Sequence, residues 1–169
     1  MTPMLRQYLE LKQQAGTALL LYRMGDFYEL FFEDAQRAAP VLGIALTRRR
    51  HNDAVEAPMC GVPYHAFDGY LGKLLDAGFR VAVAEQVEDP ATAKGLVRRE
   101  IVRTHTPGTV SSTELLEGSE RCFLAAFGGD DESYALAWLE LSTGTFEGMR
   151  CEERSSVSEQ LARLRPREI

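Results

Sequence analysis

Apolar positions near the start of the chain recur at helical spacing. Met4, Leu5, Tyr8, Leu9 and Leu11 lie close to one face, and Thr2-Pro3 supplies a capping hydroxyl followed by a first-turn proline, so a helix is predicted from Pro3 to about Gln14. Ala18 to Met24 is a continuous apolar stretch and reads as a buried strand. Gly25-Asp26 reads as a tight turn, and Phe27 to Phe32 as a second strand. A helix follows from about Glu33 to Leu42, closed near Gly43. Ile44 to Arg48 reads as a strand, His51 to Ala57 as an exposed polar loop, and Pro58 to Pro63 as a stiff turn with prolines flanking a glycine. Ala66 to Ala77 is amphipathic, with Phe67, Tyr70, Leu71, Leu74 and Leu75 inward and Gly78 as its stop. Strands are predicted over Phe79–Val87 and Val97–Thr104, and a turn at Thr106–Thr109.

Val110 to Glu120 is polar and lacks aromatics. Beyond it, three short strands are predicted (Cys122–Phe127, Tyr134–Leu141, Thr145–Met149), then a helix over Ser156–Leu164. The expected class is therefore α/β. A mixed sheet flanked by helices occupies residues 1–110, a linker 111–120, and an incomplete α/β segment 121–169. There is no internal repeat and no low-complexity tract.

At 45% hydrophobic and 26% charged, the 169 residues have the composition of a globular protein able to bury a core without staples. No apolar run approaches the length of a membrane span, and the first residues carry no signal-peptide pattern. Three widely spaced cysteines, with no Cys-x-x-Cys, predict reduced thiols. The net charge of −6 is unevenly placed. Residues 1–110 balance 13 Lys/Arg against 13 Asp/Glu, and residues 111–169 set 6 against 12. Neither part has the basic excess of a strong non-specific phosphate binder.

The segment richest in chemistry is Arg23-Met-Gly-Asp-Phe-Tyr-Glu-Leu-Phe-Phe32. Strand alternation places Phe27 and Glu29 on one face and Tyr28, Leu30 and Phe32 on the other, the second set being the natural core face. An aromatic ring beside a carboxylate, just past a tight turn, can stack on a base and accept a hydrogen bond from its edge. Pattern alone equally describes an ordinary core phenylalanine beside a solvated acid. Arg48-Arg49-Arg50, the one run of three like charges, reads either as phosphate contacts or as a solvated strand end. Met59 reads either as groove-lining or as core.

Gly25-Asp-Phe-Tyr-Glu-Leu-Phe31 resembles the Phe-x-Glu signature of the mismatch-recognition domain of the MutS family of DNA repair proteins. Thr2-Pro-Met-Leu-Arg-Gln-Tyr8 resembles that family's opening helix, and Pro58-Met-Cys-Gly-Val-Pro-Tyr-His-Ala66 its proline-glycine segment. Ala84 to Gly95 and Arg103 to Thr109 match in the same order and at similar spacing. The resemblance implies that Phe27 enters from the minor groove and stacks on a mispaired or unpaired base, while Glu29 hydrogen-bonds it. It further implies DNA contacts from Arg48, Arg49 and Met59, and support of the site by Gly25, Asp26, Gly61, Pro63 and Tyr64. The second segment resembles the start of the family's RNase H-like connector. Family membership would bring mismatched double-stranded DNA, a second MutS subunit and a MutL-type protein as partners, in the nucleoid-associated bacterial cytoplasm.

No Gly-x-x-x-x-Gly-Lys-[Ser/Thr] loop occurs, so the family's ATP and Mg²⁺ site is expected outside this sequence, which is read as cut off before the clamp and ATPase parts. His51, His65 and His105 lack metal-ligand spacing. Asp130, Asp131 and Glu132 lie in a Gly-rich turn and read as solvated turn residues rather than a nuclease site. No catalytic residue and no cofactor is expected in this chain.

Overall fold

The computed structural model describes residues 2–52, 55–89, 93, 95–109, 121–130 and 132–169; the side chains of residues 49–52 and 55 are outside that description. Contacts divide the chain into two units, Met1–His105 and Thr106–Ile169. The predicted linker, 111–120, lies outside the described residues.

In the first unit, helix α1 (Pro3–Ala15) begins as its sequence dictates. The Thr2 hydroxyl accepts the Leu5 amide at 3.3 Å, Pro3 stands in the first turn, and Gly16 ends the helix at φ +59°. Strands β1 (Leu19–Met24) and β2 (Phe27–Phe31) form a two-residue hairpin around Gly25-Asp26. Gly25 takes φ +57° at the first central position, as a type II′ turn requires. Helix α2 (Phe32–Leu42) closes on Gly43 in the left-handed region. Then come β3 (Thr47–Asn52), β4 (Val55–Pro63), a 3-10 turn (Tyr64–Ala66), helix α3 (Phe67–Asp76), β5 (Val81–Gln86) and β6 (Arg99–His105). The six strands form one mixed sheet in the order β3-β4-β2-β1-β5-β6, with β1 and β5 parallel and every other pair antiparallel.

Both faces of the sheet's centre are covered, so β1 reads as an apolar run rather than an alternation. On one face, α1 sets Tyr8 edge-on against Tyr22 (5.5 Å between centroids) and Phe31 (4.9 Å), above Leu20, Ala82 and Ala84. Leu42, Leu71, Leu74 and Leu75 from α2 and α3 are buried, and Cys60 of β4 donates to the Ala35 carbonyl of α2. Burial pushes the Cys60 thiol up to about 11, so it stays protonated.

Four expectations are corrected here. Of the polar loop expected over His51–Ala57, the described residues lie in strands, His51 and Asn52 at the end of β3 and Val55–Ala57 at the start of β4; the turn expected over Pro58–Pro63 is the rest of β4, and β3 runs Thr47–Asn52 rather than Ile44–Arg48. The prolines disguise β4. Its ladder to β2 runs only from Met59 to Pro63, so Pro58 lies past the end of β2 and Pro63 is the strand's last residue, positions where a missing N–H costs little. Phe32 is not the last residue of β2. It opens α2 at φ +54°, and this left-handed step brings its ring to the α1 side, 6.3 Å from Tyr8, rather than to the Tyr28–Leu30 face. Phe31, on the Phe27–Glu29 face, is buried at 1% exposure.

The second unit holds a meander of β7 (Phe123–Gly129), β8 (Tyr134–Glu140) and β9 (Thr145–Cys151), then helix α4 (Arg154–Leu164). Ala125, Leu136, Trp138 and Val157 form its core. Thr106–Thr109 belongs with this unit: the Gly108 amide donates to Glu168, and a parallel bridge joins Leu124 to Glu168. Glu140 is buried at the β8–β9 turn and accepts from the hydroxyls and amides of Ser142 and Thr143, which hold its carboxyl down to about 2.

Candidate nucleic-acid interface

Residues directly opposite in antiparallel strands share a face. The register pairs Phe27 with Met24 and Pro63, Glu29 with Tyr22 and Gly61, and Phe31 with Met59. These residues therefore form one surface, the face that α1 covers at its Phe31 end. Burial falls off along β2 toward the hairpin: Phe31 is 1% exposed under Tyr8, Glu29 half-buried, and Phe27 47% exposed. A phenylalanine thus stands open to solvent where its neighbours two and four residues along are progressively covered.

The carboxylate of Glu29 has a polar setting. Tyr22, opposite it, donates to Gln7 Oε1 at 2.5 Å, and the Arg99 guanidinium lies 4.7 Å over the Tyr22 ring. Arg99, itself buried, donates to the Arg23 carbonyl (2.6 Å), the Val97 carbonyl (2.8 Å) and Gln7 Oε1 (3.2 Å). Burial raises the Tyr22 phenol, Arg99 opposes that shift, and the negative charge of Glu29 adds to it. Gly61 leaves room on the other flank, since a Cβ there would lie 3.5 Å from Glu29 Cγ.

The turn is tied from the opposite face. Arg23 pairs with Tyr28, donates from Nε to the Gly25 carbonyl at 2.5 Å, and stacks over Tyr64 with its guanidinium carbon 3.5 Å from the ring centroid. The Tyr64 amide donates to the Asp26 carbonyl at 2.8 Å. Beneath them, Tyr28 is buried, packs on Phe67 and donates to Glu85; burial and that bond raise its phenol pKa.

The sequence-predicted set is thus partly gathered. Phe27, Glu29, Met59, Gly61 and Pro63 share the α1 face, with Met59 half-buried at its covered end. Gly25, Asp26 and Tyr64 form the turn and its tie. Arg48 lies elsewhere. It pairs with Pro58, which places it on the face opposite Phe27, and is exposed 3.7 Å from Glu56. Arg49 stands opposite Ala57 in β3, and its side chain is outside the described residues.

Sequence reading missed the polar residues beneath this surface. Asp34, 2% exposed, accepts the Leu20 amide at 2.9 Å and pairs with Lys12 at 2.9 Å. The β1–β2 ladder stops at Tyr22–Glu29, so the carboxylate takes the next strand amide. Its position one turn before Ala38, on the inward face of α2, was the available signal. Arg23 and Arg99 carried none, because basic residues at strand ends are common on solvated surfaces. Among the described residues no group of three or more His, Cys, Asp or Glu could hold a metal, and no helix is long and apolar enough to cross a membrane.

The family model for MutS domain I matches residues 2–114, and that for MutS domain II matches residues 122–169. The chain belongs to the MutS family. Relatives agree over nearly all of it. The DNA mismatch repair protein MutS of Dinoroseobacter shibae is 54% identical over 173 residues, covering 99% of this chain and 20% of that protein. Those of Desulfosudis oleivorans and Nitratidesulfovibrio vulgaris are 52% and 48% identical, over 99% and 100% of this chain and 19% of each relative. The chain thus spans about a fifth of the curated MutS proteins it matches. The surface built on β2 lies within the part matched as MutS domain I, and the three-stranded meander within the part matched as domain II.

Proposed function

We propose that this chain recognises mispaired or unpaired bases in duplex DNA, as the first step of mismatch repair, with Phe27 as the inserted ring and Glu29 as the acceptor for the displaced base. The observation that carries the reading is the exposure of Phe27, 47%, at the end of a face whose other aromatic, Phe31, is buried at 1%. A large apolar ring held out by a two-residue turn has no packing role that explains its position. Inserting such a ring between base steps costs a few kcal/mol of unstacking, and a mismatch has already lost part of that stacking. Discrimination then follows from deformability, without a fixed sequence being read. Glu29 repels phosphates, and a base edge freed from normal pairing compensates that repulsion, so the carboxylate penalises perfect duplex.

In this reading Met59 flanks the site and Arg49 supplies a phosphate contact. The clamp and the ATP and Mg²⁺ site would lie in parts of MutS that this chain does not span, and the whole protein would pair with a second subunit and recruit a MutL-type partner. The chain itself binds DNA and catalyses nothing.

The test uses 2-aminopurine placed beside a mismatch, with this chain supplying the matching part of a whole MutS. Binding is expected to raise the probe's fluorescence as the neighbouring base is unstacked. Binding without any fluorescence change would contradict insertion.

A further inference from the structure

We infer that Arg23 and Tyr64 are positioning residues that hold the Gly25-Asp26 turn, and through it the Phe27 ring, in the orientation needed for insertion. The inference rests on the wedge reading and extends it to residues that would not touch the base.

Three contacts carry it. The Arg23 Nε donates to the Gly25 carbonyl at 2.5 Å, and the Tyr64 amide donates to the Asp26 carbonyl at 2.8 Å. Both carbonyls of the two-residue turn are therefore anchored. The Arg23 guanidinium also lies 3.5 Å from the centroid of the Tyr64 ring, so the two anchors brace each other. Arg23 is fixed in turn from β6, where Arg99 donates to its carbonyl at 2.6 Å.

The placement has a mechanical logic. Pro63, the residue paired with Phe27, has no N–H to donate, so the β2–β4 ladder ends where the wedge begins. A hairpin tip beyond the last ladder bond would bend when its ring is pushed between stacked bases. The Tyr64 amide restores a cross-strand bond one residue further on. Because Arg23 pairs with Tyr28, the stack sits on the face opposite Phe27, bracing the turn while leaving the ring uncovered.

The test measures affinity for a G·T duplex and a matched G·C duplex with this chain in a whole MutS. Arg23→Ala and Tyr64→Ala are each expected to lower the mismatch-to-match ratio by roughly tenfold, with matched-duplex affinity unchanged. The double variant should lose no more than either single change, because both disrupt one unit. Tyr64→Phe, which keeps the ring and the amide, should behave as the parent. Arg23→Lys keeps the charge but loses the planar stack and the Nε donor, and should also lose discrimination. It guards against Arg23→Ala failing to fold. Equal weakening on both duplexes, or full discrimination in Arg23→Lys, would show a plain phosphate contact and overturn the clamp. If Phe27→Ala abolishes discrimination while Arg23→Ala and Arg23→Lys retain it, the clamp alone fails. If Phe27→Ala itself retains discrimination, the wedge reading beneath it fails.

Discussion

Glu29 and Gly61 face each other across the β2–β4 pair, and a Cβ on Gly61 would come within 3.5 Å of Glu29 Cγ and 3.4 Å of the Tyr28 carbonyl oxygen. Those are ordinary contact distances, so alanine fits. A β-branched side chain would occupy the space beside the carboxylate. Gly61→Ala is expected to fold and discriminate as the parent, whereas Gly61→Val folds but binds mismatched DNA less selectively. Glu29→Ala should act on the other duplex, binding matched DNA more tightly because a repulsion is removed. A salt series on matched duplex checks this: unchanged affinity in Glu29→Ala would count against the repulsive role.

Buried Asp34 and half-buried Lys12 tie α1, β1 and the start of α2 together. Asp34→Ala leaves the Leu20 amide without its acceptor and Lys12 without its counter-ion, and should cost about 1–3 kcal/mol. Asp34→Asn keeps an acceptor and should cost less. Hydrogen exchange at the Leu20 amide reports this locally, and protection equal to the parent's in Asp34→Ala would refute it.

Much of this was legible in advance, for reasons that differ by element. The hydroxyl-proline start of α1, the Gly25-Asp26 turn and the Leu71–Leu74–Leu75 stripe are local chemistry, and each element formed where its residues require. β4 was not legible, because its two prolines resemble a turn and are tolerated only through the length of β2, a tertiary fact. The Phe27–Glu29 alternation could be read from β2 itself, but the burial of Phe31 and the left-handed step at Phe32 depend on where α1 and α2 pack. Arg48 looked adjacent to Phe27 in a run of three arginines, yet the β3 register puts it on the far face.

Acid should weaken the second unit in a defined window. The folded-state pKa of Glu140 is about 2, below its ordinary 4.5, so its contribution is fully present above 4.5 and is lost as pH falls toward 2. Trp138 lies in the core of the same unit and reports its unfolding by fluorescence. Glu140→Gln is expected to be less stable at neutral pH and to flatten the stability profile between those values. An unchanged slope would show that Glu140 makes no such contribution.

Alone, this chain should bind DNA weakly. Residues 1–110 carry no net charge and residues 111–169 carry −6, against the 6–10 phosphate contacts typical of a tight binder. Bending the duplex costs about 1–6 kcal/mol, with little here to offset it. Titration of a G·T duplex at about 150 mM salt should give an affinity weaker than micromolar, well below the range of specific complexes. Nanomolar binding would mean that the chain carries a grip as well as a probe.

In the proposed function it is the exposed ring of Phe27 that discriminates. The direct measurement is the ratio of affinities for G·T and matched G·C duplexes, by fluorescence anisotropy, for a whole MutS containing this chain and for its Phe27→Ala variant, with folding checked by circular dichroism. The variant should keep its fold, since the ring is 47% exposed, and lose about 1–3 kcal/mol on the mismatched duplex, which brings the ratio close to one. A Phe27→Ala protein that unfolds, or that discriminates as well as its parent, would contradict it.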